Sequence, residues 1–264
     1  MNKSRLNKYA GLENLRVAIS AGASGIGFAI ACELHRQGAR VAIFDVDEKR
    51  LEEASAHLGN CPAMVANVSD DEEVGRFFAL CADQLGGLDA LVNNAGIAGP
   101  TGGVDEIDID EWRRCIDVVL TGQFLCVRRA VPMLRESNGG SIVCISSSAG
   151  KHGYAYRTPY SSAKFGVVGF AQSLAKELGP SNIRVNAVLP GIVDGPRMQG
   201  VIRDRAEQLD ESYEAVEASY LQNISLGRMV EMEDVATTVA FLLSDAGRNL
   251  SGQSLAVDGN VETL

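Results

Sequence analysis

The sequence predicts a doubly wound α/β chain: one domain over residues 1–264, with a parallel sheet of about seven strands and helices on both faces. Three observations predict it. Short apolar runs recur without polar alternation, the pattern of strands buried on both faces. Between them lie stretches whose apolar residues repeat at helical spacing. Glycine, proline or short polar residues close the runs, where a strand has to turn toward the next helix.

Val17-Ala18-Ile19 is the first strand and leads into a glycine-rich turn. Ile26, Ala29, Ile30 and Leu34 then form a helical stripe ended by Gly38. Val41 to Phe44 is the second strand and stops at Asp45. Asp47 to Leu58 reads as a helix with a charged outer face, and Ala63 to Ala66 as the third strand. Asp70 to Leu85 is helical, closed by Gly86-Gly87. Leu88 to Val92 is the fourth strand, broken by Asn93-Asn94-Ala95-Gly96. A long helix from about Asp110 to Glu136 carries Trp112, Ile116, Val119, Phe124 and Val127. Ile142 to Ile145 is the fifth strand. Thr158 and Pro159 start the next helix, and Ile183 to Leu189 is the sixth strand, closed by Pro190-Gly191. Residues 192–227 break the rhythm: charged and partly helical, they follow a strand end, where ligands bind in such sheets. They are expected to form a mobile lid. A helix from about Glu233 to Leu243 and a strand at Ser254 to Val257 finish the pattern.

Composition excludes several function classes. Lys and Arg number 24 against 34 Asp and Glu, a net charge of −10, which leaves no basic stripe to neutralise the phosphates of a nucleic acid. No apolar run approaches the roughly 18 residues of a membrane span, and Met1 to Gly11 has no apolar secretory core. Cys32, Cys61, Cys81, Cys115, Cys126 and Cys144 lie scattered, with no Cys-x-x-Cys pair. They read as free thiols in a reducing compartment, and the expected location is the cytoplasm. No His, Cys or Asp cluster has metal-ligand spacing, so no metal is expected. His35 and His57 fall on helix surfaces.

Chemistry concentrates in two places. Tyr160 and Lys164 stand one helical turn apart, so both project from one face. A lysine charge beside a phenol favours its anion, and Ser147, after the fifth strand, is set to hold a carbonyl or hydroxyl oxygen against that phenol. The second place is Ser20-Ala21-Gly22-Ala23-Ser24-Gly25-Ile26-Gly27, between a strand and a helix. Small residues there let backbone N–H groups and the positive helix end approach a pyrophosphate. Asp45 follows Gly27 by 18 residues. A carboxylate at that strand end accepts from a ribose diol and repels a 2′-phosphate, which favours NAD over NADP. Arg40 precedes the strand and is not placed to cancel it. A helix N-cap is the competing role for Asp45, and Asp47 is available to fill it instead.

With these motifs in this order, the chain resembles the short-chain dehydrogenase/reductase family over nearly its whole length. The resemblance rests on the glycine turn, Asn93 to Gly96, Ser147, Tyr160 to Lys164, Pro190-Gly191, and Ser251-Gly252-Gln253 to Asp258-Gly259. Ser147 stands 13 residues before Tyr160, the family's usual spacing. The resemblance implies a Rossmann-type fold, a nicotinamide dinucleotide as cofactor (NAD by the reading of Asp45), Tyr160 as acid/base, Ser147 as the residue that positions the substrate oxygen, and Lys164 as the holder of the nicotinamide ribose. Cofactor contacts are expected from Ser20, Gly22, Ser24, Gly25, Ile26, Gly27, Asp45, Asn67, Val68, Asn94, Ala95, Gly96, Tyr160, Lys164, Pro190, Gly191 and Val193. The family is commonly tetrameric. Apolar Phe124, Val127, Phe165, Val168 and Phe170, beyond one face of their helices, fit a homotetramer interface.

Four positions depart from the family pattern. Ser20-Ala21 replaces the usual Thr-Gly, adding a methyl at Ala21 that is expected to intrude little. Asn67 replaces an acid that contacts adenine. Val119 replaces an asparagine that helps hold a water in a proton path, largely through its backbone carbonyl. Gly195 replaces a threonine near the nicotinamide and pyrophosphate. For the substrate, His152, Tyr154, Arg157 and Arg197 are the candidates, and several cations on one pocket suit an anionic group. The expected reaction interconverts a polar secondary alcohol (a polyol, a hydroxy acid or another anionic hydroxy compound) and its ketone. A non-catalytic dinucleotide sensor and an NAD-using sugar epimerase or dehydratase are the alternatives.

Overall fold

The computed structural model describes residues 9–261, apart from the side chains of Arg197, Asp204 and Gln208. The strands are β1 (Arg16–Ser20), β2 (Arg40–Asp45), β3 (Ala63–Val65), β4 (Ala90–Asn93), β5 (Gly140–Ile145), β6 (Ile183–Pro190) and β7 (Ser254–Val257). They form one seven-stranded sheet in the order β3-β2-β1-β4-β5-β6-β7, and every neighbouring pair is parallel. The α-helices are α1 (Gly25–Arg36), α2 (Glu48–His57), α3 (Asp71–Leu85), α4 (Ile109–Ile116), α5 (Gly122–Glu136), α6 (Thr158–Leu178), α7 (Pro196–Leu209), α8 (Tyr213–Leu221) and α9 (Met232–Leu243).

Successive strand residues point to opposite faces, and each face has its own core. Ala18, Phe44, Leu91, Ile142 and Ala187 join a core with α3, α5 and α6. Val17, Ile43, Val92, Val143 and Val188 join another with α1, α2 and α9. Phe44 and Phe77 meet in the first core with ring centroids 4.6 Å apart. Burial of each such ring contributes about 1.5–3 kcal/mol. From β1 the chain winds outward through β2 to β3, then returns to β4 on the other side of β1. That reversal opens a crevice beyond the carboxyl ends of the strands.

The long helix begins at Ile109, beside the expected start, because Asp108 caps it by accepting from the N–H groups of Asp110 and Glu111. Two expectations need correction. That helix is not α-helical throughout, since Asp117–Thr121 forms a π-helical turn between α4 and α5. Of the five apolar residues assigned to an outer face, Val127 is buried in the core, and Val168 and Phe170 pack partly buried against it. Phe124 and Phe165 remain about half exposed, at 48% and 46%. In residues 192–227, α7 and α8 pack on each other around Ile202, Ala206 and Val216, a small cluster separate from both cores. All six cysteines are free. No helix among the described residues is long and apolar enough to cross a membrane.

Candidate active site

A cavity of about 1730 Å³ lies along the strand ends. It exceeds the ~300–1,000 Å³ of ordinary ligand pockets, so a dinucleotide and a second molecule fit together. Asp45, Asn67 and Val68 line one end, and Ser24, Gly25, Ile26, Asn94, Ala95 and Gly96 the middle. Ser147, Tyr160, Lys164, Pro190, Gly191 and Val193 follow, and α7 and α8 cover the far end with Met198, Val201, Val216 and Tyr220.

The glycine turn is built by close approach. A Cβ on Gly22 would stand 2.7 Å from Ile43 Cγ2, and one on Gly27 would overlap the Ala21 carbonyl and the Asn94 side chain. Ser20 Oγ accepts from the N–H groups of Asn94 (2.9 Å) and Ala95 (3.0 Å). Asn94 Nδ2 donates to the carbonyls of Ser20 (3.2 Å) and Ala21 (3.0 Å). These bonds tie the ends of β1 and β4 together at the point where the strand order reverses. Ser20, Gly22 and Gly27 therefore shape the turn from behind, and Ala21, Ser24, Gly25 and Ile26 are the turn residues that reach the cavity. The Ala21 methyl is not the main burden of that substitution. Its backbone is left-handed, φ 51°, which costs an L-residue about 1–2 kcal/mol.

Asp45 Oδ2 accepts from Ala23 N–H (3.2 Å), and Oδ1 accepts from Val46 N–H (2.8 Å). The carboxylate thus holds the glycine turn while it faces the cavity. Asp47 caps α2, accepting from Arg50 N–H at 3.1 Å, so Asp45 is spared that role. Arg40 donates to the carbonyls of Leu85 and Gln84, away from Asp45. Arg50, which sequence reasoning missed, also lines this end, in an ion pair with Asp47 at 3.3 Å. Its place in the first turn after the Asp47 cap was the available signal.

Tyr160 stands in the first turn of α6, between two cations. Lys164 Nζ lies 5.7 Å from the ring centroid and donates to the Ile145 carbonyl at 2.9 Å. Arg157 Cζ lies 5.0 Å from the same centroid, and its Nη2 donates to the Ala98 carbonyl at 2.7 Å. Ser146 Oγ donates to the Lys164 carbonyl (2.8 Å), clamping α6 to the end of β5. Ser147 caps the short turn Ser148–Gly150 by accepting from Ala149 N–H at 3.1 Å. Fully buried Cys115, Val119 and Ala163 pack with the Tyr160 ring. Val119, inside the π-helical turn, thus makes this flank dry where the family pattern has an asparagine. Burial pushes the Cys115 thiol up from its ordinary value, against the opposing charges of Arg157 and Lys164.

The substrate candidates separate. Tyr154 and Arg157 line the cavity. His152 does not: it is half-buried in the loop, with a buried Nε2 that has no hydrogen-bond partner among the described residues. Its N–H donates to the Ser148 carbonyl (2.9 Å), and the fold-back of that turn brings Tyr154 to the cavity in its place. Arg197 is the second residue of α7, and its side chain lies outside the described residues. Ser148 and Arg114 line the cavity and were missed. The serine run beside Ser147 offered a signal for the first, but nothing local marked the second.

The family model for enoyl-(acyl carrier protein) reductase matches residues 20–261. The chain is 40% identical over 248 residues to cis-4-hydroxycyclohexanecarboxylate dehydrogenase of Sinomonas cyclohexanicum, covering 92% of this chain and 95% of that one. It is 38% identical over 251 residues to trans-4-hydroxycyclohexanecarboxylate dehydrogenase of the same organism, covering 91% and 90%. A crystal structure of a variant actinorhodin polyketide ketoreductase with NADPH superposes with a TM-score of 0.90 at 30% identity, covering 97% of this chain and 100% of that one. With family model, relatives and fold in agreement, the chain belongs to the short-chain dehydrogenase/reductase family of oxidoreductases.

Proposed function

We propose that the chain is an NAD-dependent enzyme interconverting a polar secondary alcohol, most favourably a hydroxy acid, and its ketone, with Tyr160 as acid/base. One observation carries this reading: Ser147, Tyr160 and Lys164 share a single cavity with Asp45 and the glycine turn. The residues fit the dinucleotide. Ser24, Gly25 and Ile26, where α1 begins, offer N–H groups to a pyrophosphate. Asp45 would accept from the adenosine ribose, Asn67 and Val68 would flank the adenine, and Lys164 would hold the other ribose. Asn94, Ala95, Gly96, Pro190, Gly191 and Val193 would hold the nicotinamide half, and Ser20, Gly22 and Gly27 support the turn. Bound NAD would supply the hydride acceptor for oxidation, and its reduced form the donor for the reverse reaction.

Ser147 Oγ holds the substrate oxygen beside Tyr160. In oxidation the Tyr160 phenolate takes the hydroxyl proton; in reduction the phenol returns it. Lys164 and Arg157 flank the ring, and the buried cluster around Val119 packs against it. The relatives' names specify ring alcohols that carry a carboxylate, consistent with arginines and apolar helix residues lining one cavity. Residues 1–264 form one catalytic domain in this reading, with 192–227 closing over substrate. Free thiols suit the cytoplasm. Exposed Phe124 and Phe165 mark the contact of a homotetramer.

The test is initial-rate reduction of NAD and of NADP with cis- and trans-4-hydroxycyclohexanecarboxylate, cyclohexanol, polyols and hydroxysulfonates. Turnover with at least one hydroxy acid and NAD is expected. No turnover across the panel would contradict the reading, and light scattering from a stable monomer at micromolar concentration would contradict the tetramer.

A further inference from the structure

Beside Tyr160 the cavity wall carries two hydroxyl groups that the proton transfer does not use. Ser148 Oγ and Tyr154 OH lie 2.6 Å apart. Ser148 is 2% exposed, and the phenol oxygen is its side chain's one hydrogen-bond partner among the described residues. Either hydroxyl can donate to the other, so of the two protons one is used within the pair and one is left for the cavity that both residues line. Burial pushes the Tyr154 phenol up from its ordinary value; the Ser148 bond and Arg157 oppose this, while Tyr160 and Asp258 add to it. The group therefore stays a neutral donor at working pH. Three residues on, Arg157 brings positive charge to the same wall, and its buried Nε has no hydrogen-bond partner among the described residues.

We infer that Tyr154, hydrogen-bonded to Ser148, and Arg157 form a second substrate anchor that takes a carboxylate carried on the molecule whose hydroxyl reacts at Tyr160. The anchor rests on the reading of Tyr160 as the acid/base. A carboxylate is acceptor-only, and it meets here a hydroxyl donor and a guanidinium. Met198 and Val201 line the same cavity and supply apolar surface for the body of the substrate. Tyr154 and Arg157 thus select among alcohols, and Tyr160 reacts with the one selected.

The test is calorimetric titration of the NADH-saturated enzyme with cyclohexanecarboxylate, which has no hydroxyl to oxidise, and with cyclohexanecarboxamide. The parent should favour the carboxylate at least tenfold, about 1.4 kcal/mol. Tyr154→Phe and Arg157→Gln should each remove most of that preference. Ser148→Ala, which leaves the phenol in place, should remove part of it. In turnover, the ratio of kcat/KM for a hydroxy acid to that for cyclohexanol should fall about tenfold in Tyr154→Phe. NADH affinity reports on folding in every variant, and Ser148→Ala carries the test if Tyr154→Phe does not fold. A parent that binds both ligands equally, or an unchanged ratio in Tyr154→Phe, overturns the anchor. Turnover of cyclohexanol without carboxylate preference would leave the oxidoreductase reading standing and sink the anchor alone.

Discussion

The two ends of the cavity are built on different principles. The Asp45 end is made of backbone and short side chains at strand ends, packed so closely that Gly22 and Gly27 have no room for a Cβ. Ser20 and Asn94 bolt its two strands together with four hydrogen bonds. The far end is made of longer side chains from the 151–157 loop, the end of α4, and the α7–α8 pair, whose apolar cluster is separate from both main cores. The first end is set by steric necessity; the second is set by which side chains happen to project. A partner common to a whole family can be held by the first kind of wall. A varying alcohol needs the second.

Substitutions at and between the two ends should separate their contributions. Lys164 faces both, and Lys164→Ala should cut turnover about 10²-fold or more while also weakening NADH binding, as read by steady-state kinetics and titration. Loss of turnover with intact NADH affinity would remove Lys164 from the cofactor side. Asp45 belongs to the tight end alone. The parent should bind NADH at least tenfold tighter than NADPH, about 1.4 kcal/mol, and Asp45→Ala should narrow the gap; equal affinities in the parent would contradict the assignment. Ala21 measures strain at the same end. Ala21→Gly relieves a left-handed alanine and should raise stability by about 0.5–1 kcal/mol, seen as a higher urea midpoint at unchanged slope. A lower midpoint would mean that the turn bears no strain. Val119→Asn should have the smallest effect on turnover, within about twofold, since the backbone carbonyl is unaltered by the change. A large gain would show that the dry flank of Tyr160 limits proton escape.

Legibility in the sequence followed the same division. The seven strands, their parallel order and the glycine turn could be read because local spacing encodes them. Asp45 was legible because its strand end is fixed by the run Val41 to Phe44 and Asp47 was free to cap α2. The far end was less legible. His152 and Tyr154 are two residues apart in one loop, and only the fold-back of that loop decides which of them reaches the cavity. Arg114 arrives there by helix packing, which has no local signature. The π-helical turn at Asp117–Thr121 spans five residues, too few to alter the helical periodicity around it. Val127 read as surplus apolar surface because α5 buries more of its circumference than one face.

In the proposed mechanism the two ends of the cavity meet at Tyr160, where one phenol serves the alcohol without holding the cofactor in place. The direct measurement is Tyr160→Phe, with turnover and NADH affinity determined on the same preparation. The ring keeps its packing against Cys115, Val119 and Ala163, so folding and the tight end should be unaltered. Turnover should fall about 10²-fold or more, with NADH affinity changed by less than about threefold, below 1 kcal/mol. Full activity in Tyr160→Phe on a verified substrate would contradict the claim, and so would a loss of cofactor affinity that matched the loss of turnover.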